Sequence, residues 1–166
     1  MTTQAREDRF QTLLSGHKKI LYKVCSLYCK NRDDREDLAQ EIAIQLWRSF
    51  GSFDDRCRFS TWMYRIALNV AISFYRRENT RARFVLSDHE RLLNAMDETA
   101  EPSENIRMLY QLIEGLDALN RALVLLFLDG NSYRDIAEIL GISETNVATK
   151  IGRLKKTLRQ EALGKE

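Results

Sequence analysis

Over residues 8–28, Phe10, Leu13, Leu14, Leu21, Val24, Cys25 and Tyr28 recur at steps of three and four, which predicts one amphipathic helix weakened at its middle by Gly16. A charged stretch at 30–35 reads as a break, and a second helix runs on to about Phe50. Leu38, Ala39, Ile42, Ala43, Leu46, Trp47 and Phe50 form its inward face. Its other side carries Asp37, Gln40, Glu41, Ile44 and Arg48, where an apolar Ile44 among polar neighbours points to a partner surface. A loop over 51–59 leads to a third helix, capped near Ser60 or Thr61 and reaching about Glu78, with Met63, Ile66, Ala67, Val70 and Phe74 directed inward. Arg65, Asn69, Ser73 and Arg76 lie on a separate stripe of that helix and can face one ligand together.

Past residue 84 the pattern changes. Apolar residues over 88–104 lack a period, Pro102 closes the stretch, and a mobile linker is expected over 85–103, although a short helix at 86–96 is compatible with the pattern. A second domain then begins with helices over 104–115 and 118–129, the latter ending at Gly130. Ser132 followed by Asp135 is a cap signature for a short helix carrying Ile136, Ala137, Ile139 and Leu140. Gly141, Ile142 and Ser143 make a turn, and Ser143 caps a last helix with Val147, Ile151, Leu154 and Leu158 inward and Thr145, Asn146, Thr149, Lys150, Arg153 and Lys156 outward. Two helices joined by three residues including Gly, the second polar and basic on its outer side, form a helix-turn-helix whose second helix enters a major groove. No sustained alternation argues for strands, and a single Pro and seven Gly favour helices, so the predicted class is all-α in two small domains.

Charge sharpens this picture only locally. The net charge of +2 carries no argument for nucleic acid, but residues 54–83 hold seven Arg against Asp54, Asp55 and Glu78. Residues 144–166 hold six Lys or Arg against three Glu. Between these basic patches, residues 88–104 carry six acids against Arg91 alone. The N-terminus is too polar for a secretory leader, and the longest apolar run, 122–128, is too short for a bilayer, so a cytoplasmic protein with no membrane insertion of its own is expected. Cys25, Cys29 and Cys57 form an odd set without framework spacing, as expected of reduced thiols. Cys25 and Cys29, with His17 two turns earlier, permit a metal or redox reading, but a zinc site needs four placed ligands and the spacing is no known finger. Nothing in the chain resembles a nucleophile triad or a phosphate loop, and the expectation is a protein without metal, cofactor or catalytic activity.

Four blocks together resemble the extracytoplasmic-function (ECF) sigma factors of bacterial RNA polymerase, over nearly the whole chain. Asp37-Leu38-Ala39-Gln40-Glu41 is similar to the segment with which that family docks on the clamp helices of the polymerase's largest subunit. Phe59-Ser60-Thr61-Trp62-Met63-Tyr64-Arg65-Ile66-Ala67-Leu68-Asn69 resembles its promoter-melting helix, preceded at 51–58 by the loop that reads the minus-ten element. The segments at 116–121 and 129–137 resemble the start of its minus-thirty-five domain, and Gly141 onward resembles the reading helix.

The resemblance implies core RNA polymerase, promoter DNA and an anti-sigma factor as partners. It implies polymerase contact by Asp37, Gln40, Glu41 and Ile44, and minus-ten contact by Phe53, Arg56, Arg58, Phe59, Thr61, Trp62, Arg65, Asn69 and Arg76. Minus-thirty-five contact falls to Thr145, Asn146, Ala148, Thr149, Lys150, Arg153 and Lys156. It further implies that the acidic linker threads the polymerase's RNA exit path in the place of RNA. In one place the chain departs from the family pattern: Thr145-Asn146-Val147-Ala148 stands where Gly-Thr-Val and a basic residue are common, so these residues are assigned to the groove and not to particular bases.

Each assignment has a plainer counterpart. Arg65, Asn69, Asp37, Gln40 and Glu41 can be solvated helix residues, and Trp62 can belong to the core as well as stack on a base. A helix-turn-helix repressor or activator with an N-terminal helical sensor needs only the second domain, and a helical adaptor needs neither basic patch. An Arg/Asn stripe behind a basic loop in the first domain favours a promoter-opening factor over both.

Overall fold

The computed structural model describes residues 2–81 and 104–164, and all regular structure among them is helical. The chain divides into two compact units, Met1–Asp88 and His89–Glu166. The expected linker over 85–103 lies outside the described residues.

The first unit opens with α1 (Thr3–Gly16) and α2 (Lys18–Tyr28), two helices where periodicity predicts one. His17 leaves helical geometry at φ −124° and ψ 20°, next to the low helix propensity of Gly16. Its Nδ1 donates to the Leu13 carbonyl oxygen at 2.7 Å and its ring lies 5.0 Å from that of Phe59. The break re-aims the chain so that Ile20, Val24, Leu27 and Tyr28 are all buried on α2.

Helix α3 (Arg32–Ser49) absorbs most of the charged stretch expected to be a break. Asn31 caps it, accepting from the Asp34 amide at 2.8 Å and donating to the Asp34 carboxylate at 2.7 Å, while Asp33 and Asp34 suit the positive end of the helix dipole. Leu38, Ile42 and Leu46, one turn apart, are fully buried. After a short 3-10 turn (Phe50–Ser52) and the loop, α4 (Phe59–Arg81) packs against both α2 and α3. It begins one residue before the expected cap, with the Trp62 amide donating to the Arg58 carbonyl. Its fully covered stripe is Met63, Tyr64, Ala67, Leu68 and Ala71, whereas Ile66, Val70 and Phe74, expected inward, are half-buried. Two neighbouring helices widen the covered arc, and alanines at 67 and 71 let their backbones approach.

The second unit is α5 (Glu104–Glu114), α6 (Ala118–Leu128), α7 (Tyr133–Leu140) and α8 (Glu144–Leu163). Asp117 caps α6 through the Asn120 amide, and Arg121, only 4% exposed, turns back to donate to the carbonyls of Leu116 at 3.0 Å and Glu114 at 2.8 Å. A buried guanidinium thus satisfies carbonyls that the end of α5 leaves without helical partners. Ser132 caps α7 by accepting from the Asp135 amide at 3.1 Å, and Ser143 caps α8 from the Asn146 amide at the same distance. Between them Gly141 sits at φ 69°, the left-handed geometry of a helix C-cap, with open space where a side chain would project. It is the backbone angle, and not crowding, that calls for glycine there. Ile136, Ile139, Val147 and Ile151 close the angle between α7 and α8, completing the helix-turn-helix.

Candidate polymerase and nucleic-acid interfaces

The buried stripe of α3 dictates what its opposite side shows. Asp37, Gln40, Glu41 and Ile44 follow one another at helical spacing and all are exposed, Ile44 by 51%. An open isoleucine one turn beyond Glu41, on a face that also carries Asp37, gives an apolar anchor with a charged flank, the usual layout of a protein contact. Glu41 is paired with Arg77 of α4 at 3.2 Å. The two span a groove of about 450 Å³ whose walls include Gln45, Ile66, Asn69 and Ser73. Periodicity alone did not reveal Arg77, since the pair joins residues 36 apart.

The loop ahead of α4 stands on aromatic rings. Phe53 lies 5.1 Å from Trp62 and 5.6 Å from Phe59, Phe59 lies 5.3 Å from Trp62, and Phe50 closes the cluster at 6.1 Å from Phe53. Phe53 and Phe59 are buried in this cluster, at 9% and 7% exposure, and Thr61 beside them is buried at 4%. Apolar rings gain more by packing on one another than by standing in water. Arg56 and Arg58 are exposed, Arg56 being paired with Asp54 at 2.8 Å, and Trp62 is half-buried with part of its ring open. Along α4, Arg65, Asn69, Ser73 and Arg76 are all exposed on one side, as their spacing predicts.

In the second unit Thr145, Asn146, Ala148, Thr149, Arg153 and Lys156 are exposed on α8, and Lys150 is half-buried. The Thr149 hydroxyl donates to the Thr145 carbonyl at 3.0 Å, leaving Asn146 as the amide nearest the helix start. A separate apolar groove of about 350 Å³ lies among α5, α6 and α8, walled by Leu109, Phe127, Leu128, Leu158 and others, with Lys155 above the Phe127 ring at 4.5 Å. Leu128 is 58% exposed at its edge, a feature that the apolar run at 122–128 conceals when read as continuous core.

Cys25 and Cys29 are buried in the first unit. Burial pushes the Cys25 thiol up to about 12 against a smaller opposing pull from Arg35, and raises Cys29 as well, so both stay protonated near neutral pH and are poor nucleophiles and ligands. Among the described residues no group of three or more His, Cys, Asp or Glu is placed to hold a metal ion. Among the same residues no helix is long and apolar enough to cross a membrane.

Comparison with known proteins matches two family models, sigma-70 region 2 at residues 13–81 and sigma-70 region 4 at residues 106–158. The ECF RNA polymerase sigma factor SigX of Bacillus subtilis is 31% identical over 164 residues, covering 93% of this chain and 84% of that protein. The ECF RNA polymerase sigma-E factor of Escherichia coli is 30% identical over 164 residues, covering 92% of this chain and 85% of its own length. Among solved structures, RpoE of Bartonella quintana in complex with the anti-sigma factor NepR superposes with a TM-score of 0.70 at 20% identity, over 92% of this chain and 95% of the other. CnrH in complex with the cytosolic domain of CnrY gives 0.70 at 22%, over 96% and 91%. At such identities the two structures speak for the fold, while the matched regions and the relatives at 30% or more over most of their length show that this chain belongs to the ECF sigma factors of bacterial RNA polymerase.

Proposed function

We propose that the chain directs core RNA polymerase to promoters through three surfaces: the α3 face of Asp37, Gln40, Glu41 and Ile44 for polymerase, the loop at 53–59 with the α4 stripe for the minus-ten element, and the outer side of α8 for the minus-thirty-five element. The observation that carries this reading is the exposed Arg65–Asn69–Ser73–Arg76 stripe of α4 behind a basic loop, in a unit separate from the helix-turn-helix. A repressor that reads duplex DNA with its second unit has no use for that stripe. The chain works by binding, in the cytoplasm, and nucleotide addition stays with the polymerase. Within the minus-ten surface, Phe53, Phe59 and Thr61 underlie the loop, and Arg56, Arg58, Trp62, Arg65, Asn69 and Arg76 make the outer contacts.

Reconstitution tests this. Core polymerase with the chain added should select promoter fragments carrying two spaced elements from a random library, and core alone should not. Salt dependence separates the roles on α8: removing the charge of Lys150, Arg153 or Lys156 should flatten the slope of log affinity against log salt by about 0.9 per lost phosphate contact. Asn146→Ala should instead change which upstream sequences are selected. Identical effects of both substitutions on matched and scrambled upstream DNA would refute the division of labour.

The same three exposed surfaces need covering when the factor is idle, and RpoE, a protein of similar fold, was solved with its anti-sigma factor. The chain is accordingly held inactive by an anti-sigma protein. Recovery from unstressed cells should bring down a stoichiometric second protein in place of polymerase, and recovery with polymerase alone would contradict this.

A further inference from the structure

Helix α1 lies mostly upstream of the segment matched to sigma-70 region 2, which begins at residue 13, yet two of its arginines reach over the loop. The Arg6 guanidinium sits 4.7 Å above the Trp47 ring, donates to the Trp47 carbonyl at 3.3 Å, and lies close enough to Gly51 that a Cβ there would come within 3.3 Å of it. Arg9 lies over the rings of Phe50 and Phe53, at 5.7 and 5.8 Å, and one of its terminal nitrogens donates to both carboxylate oxygens of Asp55, at 2.9 and 2.7 Å. Asp55 is the residue that most needs holding. Its φ of 62° makes it the only non-glycine residue with positive φ among the described residues, and it stands at the middle of the loop, immediately before Arg56.

We propose that Arg9 is a positioning residue for minus-ten recognition: by gripping Asp55 across the aromatic floor, it fixes the turn from which Arg56 and Arg58 are presented to the unpaired strand. This rests on the loop's being the minus-ten reader. An arginine suits the task because its planar group covers the two rings and meets the carboxylate in one pose, while a loop freed of it keeps its aromatic foundation but not its turn. The ion pair is part-exposed, with side-chain exposures of 37% and 63%, so its effect is a modest change in sequence discrimination and not loss of folding.

The test uses holoenzyme reconstituted from core polymerase and the full chain, presented with fork-junction DNA whose single-stranded minus-ten segment is randomised. Enrichment of the preferred sequence over its scrambled form should fall about threefold for Arg9→Ala, in keeping with an exposed pair. Asp55→Asn should fall by the same factor, since asparagine tolerates the left-handed backbone while the charge is withdrawn. The double variant should lose no more than either single one, and core affinity should equal the parent's in all three. Unchanged enrichment in Arg9→Ala, a double loss equal to the product of the single ones, or a parallel loss of core affinity overturns the proposal. Arg58→Ala isolates the premise: if it leaves enrichment at the parent's level the loop is not the reader and the proposal falls with it, whereas an effect of Arg58→Ala without one of Arg9→Ala overturns the positioning role alone.

Discussion

Replacing both Asp37 and Glu41 with lysine is expected to reduce copurification with core polymerase to background while leaving the helical circular dichroism and the melting curve of the chain close to the parent's. Both side chains are exposed, and the core of α3 is a different stripe, so the fold loses at most the Glu41–Arg77 pair. Pairs of that exposure contribute little to stability. A docking face loses far more. Charge reversal puts like charges where complementary ones met, and such a mismatch costs several kcal/mol, which at about 4 kcal/mol is roughly a thousandfold in affinity. Arg77→Ala provides the control: it breaks the same pair without altering the α3 face, and should bind polymerase nearly as the parent does. Raising the ionic strength should weaken the parent's binding, because the rim of the contact is charged. Parent-like binding by the double reversal would remove the α3 face from the function altogether.

What the amino-acid order discloses and what it conceals divide along range. Ser132, Gly141 and Ser143 act within three or four residues of themselves, so the caps and the turn of the helix-turn-helix are readable from spacing, and the structure has them bonded as expected. Elsewhere the same local reasoning gives the wrong boundary. The break at His17 comes from a side chain bonded back to Leu13 and packed on Phe59, 42 residues on, and the charged run at 32–35 is helix because Asn31 caps it. Packing likewise decides how the loop's aromatics are held: the rings of Phe53 and Phe59 lie against Trp62 and Phe50, contacts that periodicity does not show. The Arg9–Asp55 pair, spanning 46 residues, leaves no periodic trace at all. Exposed stripes survived better than buried ones, since a residue excluded from every core face has only solvent or a partner to face.

The second large effect is expected at Asn69. Asn69 is exposed on α4 at the wall of the groove shared with Ile66, Val70 and Ser73, and Arg65 is exposed one turn before it. Reading an unpaired base means drawing it from the stack, at a cost of a few kcal/mol that contacts with the extruded base must recover. The asparagine amide offers donors and an acceptor on one short arm, matched to the edge of a base, and the apolar flanks of Ile66 and Val70 give the ring a surface to lie on. On the same reading Arg65 is expected to hold the adjoining phosphate. Asn69→Ala should fold normally, alanine being the better helix former, and should leave polymerase association and upstream duplex binding near the parent's. Strand opening at the minus-ten element should fall about tenfold, the equivalent of roughly one strong hydrogen bond, seen as lost permanganate reactivity of unpaired thymines. A promoter supplied already mismatched there should recover most of the defect, because the unpairing energy no longer has to come from the protein, while a residual loss from the missing base contact persists. If Asn69→Ala opens duplex promoters as well as the parent, the asparagine is a solvated helix residue and melting must be driven from the loop in front of it.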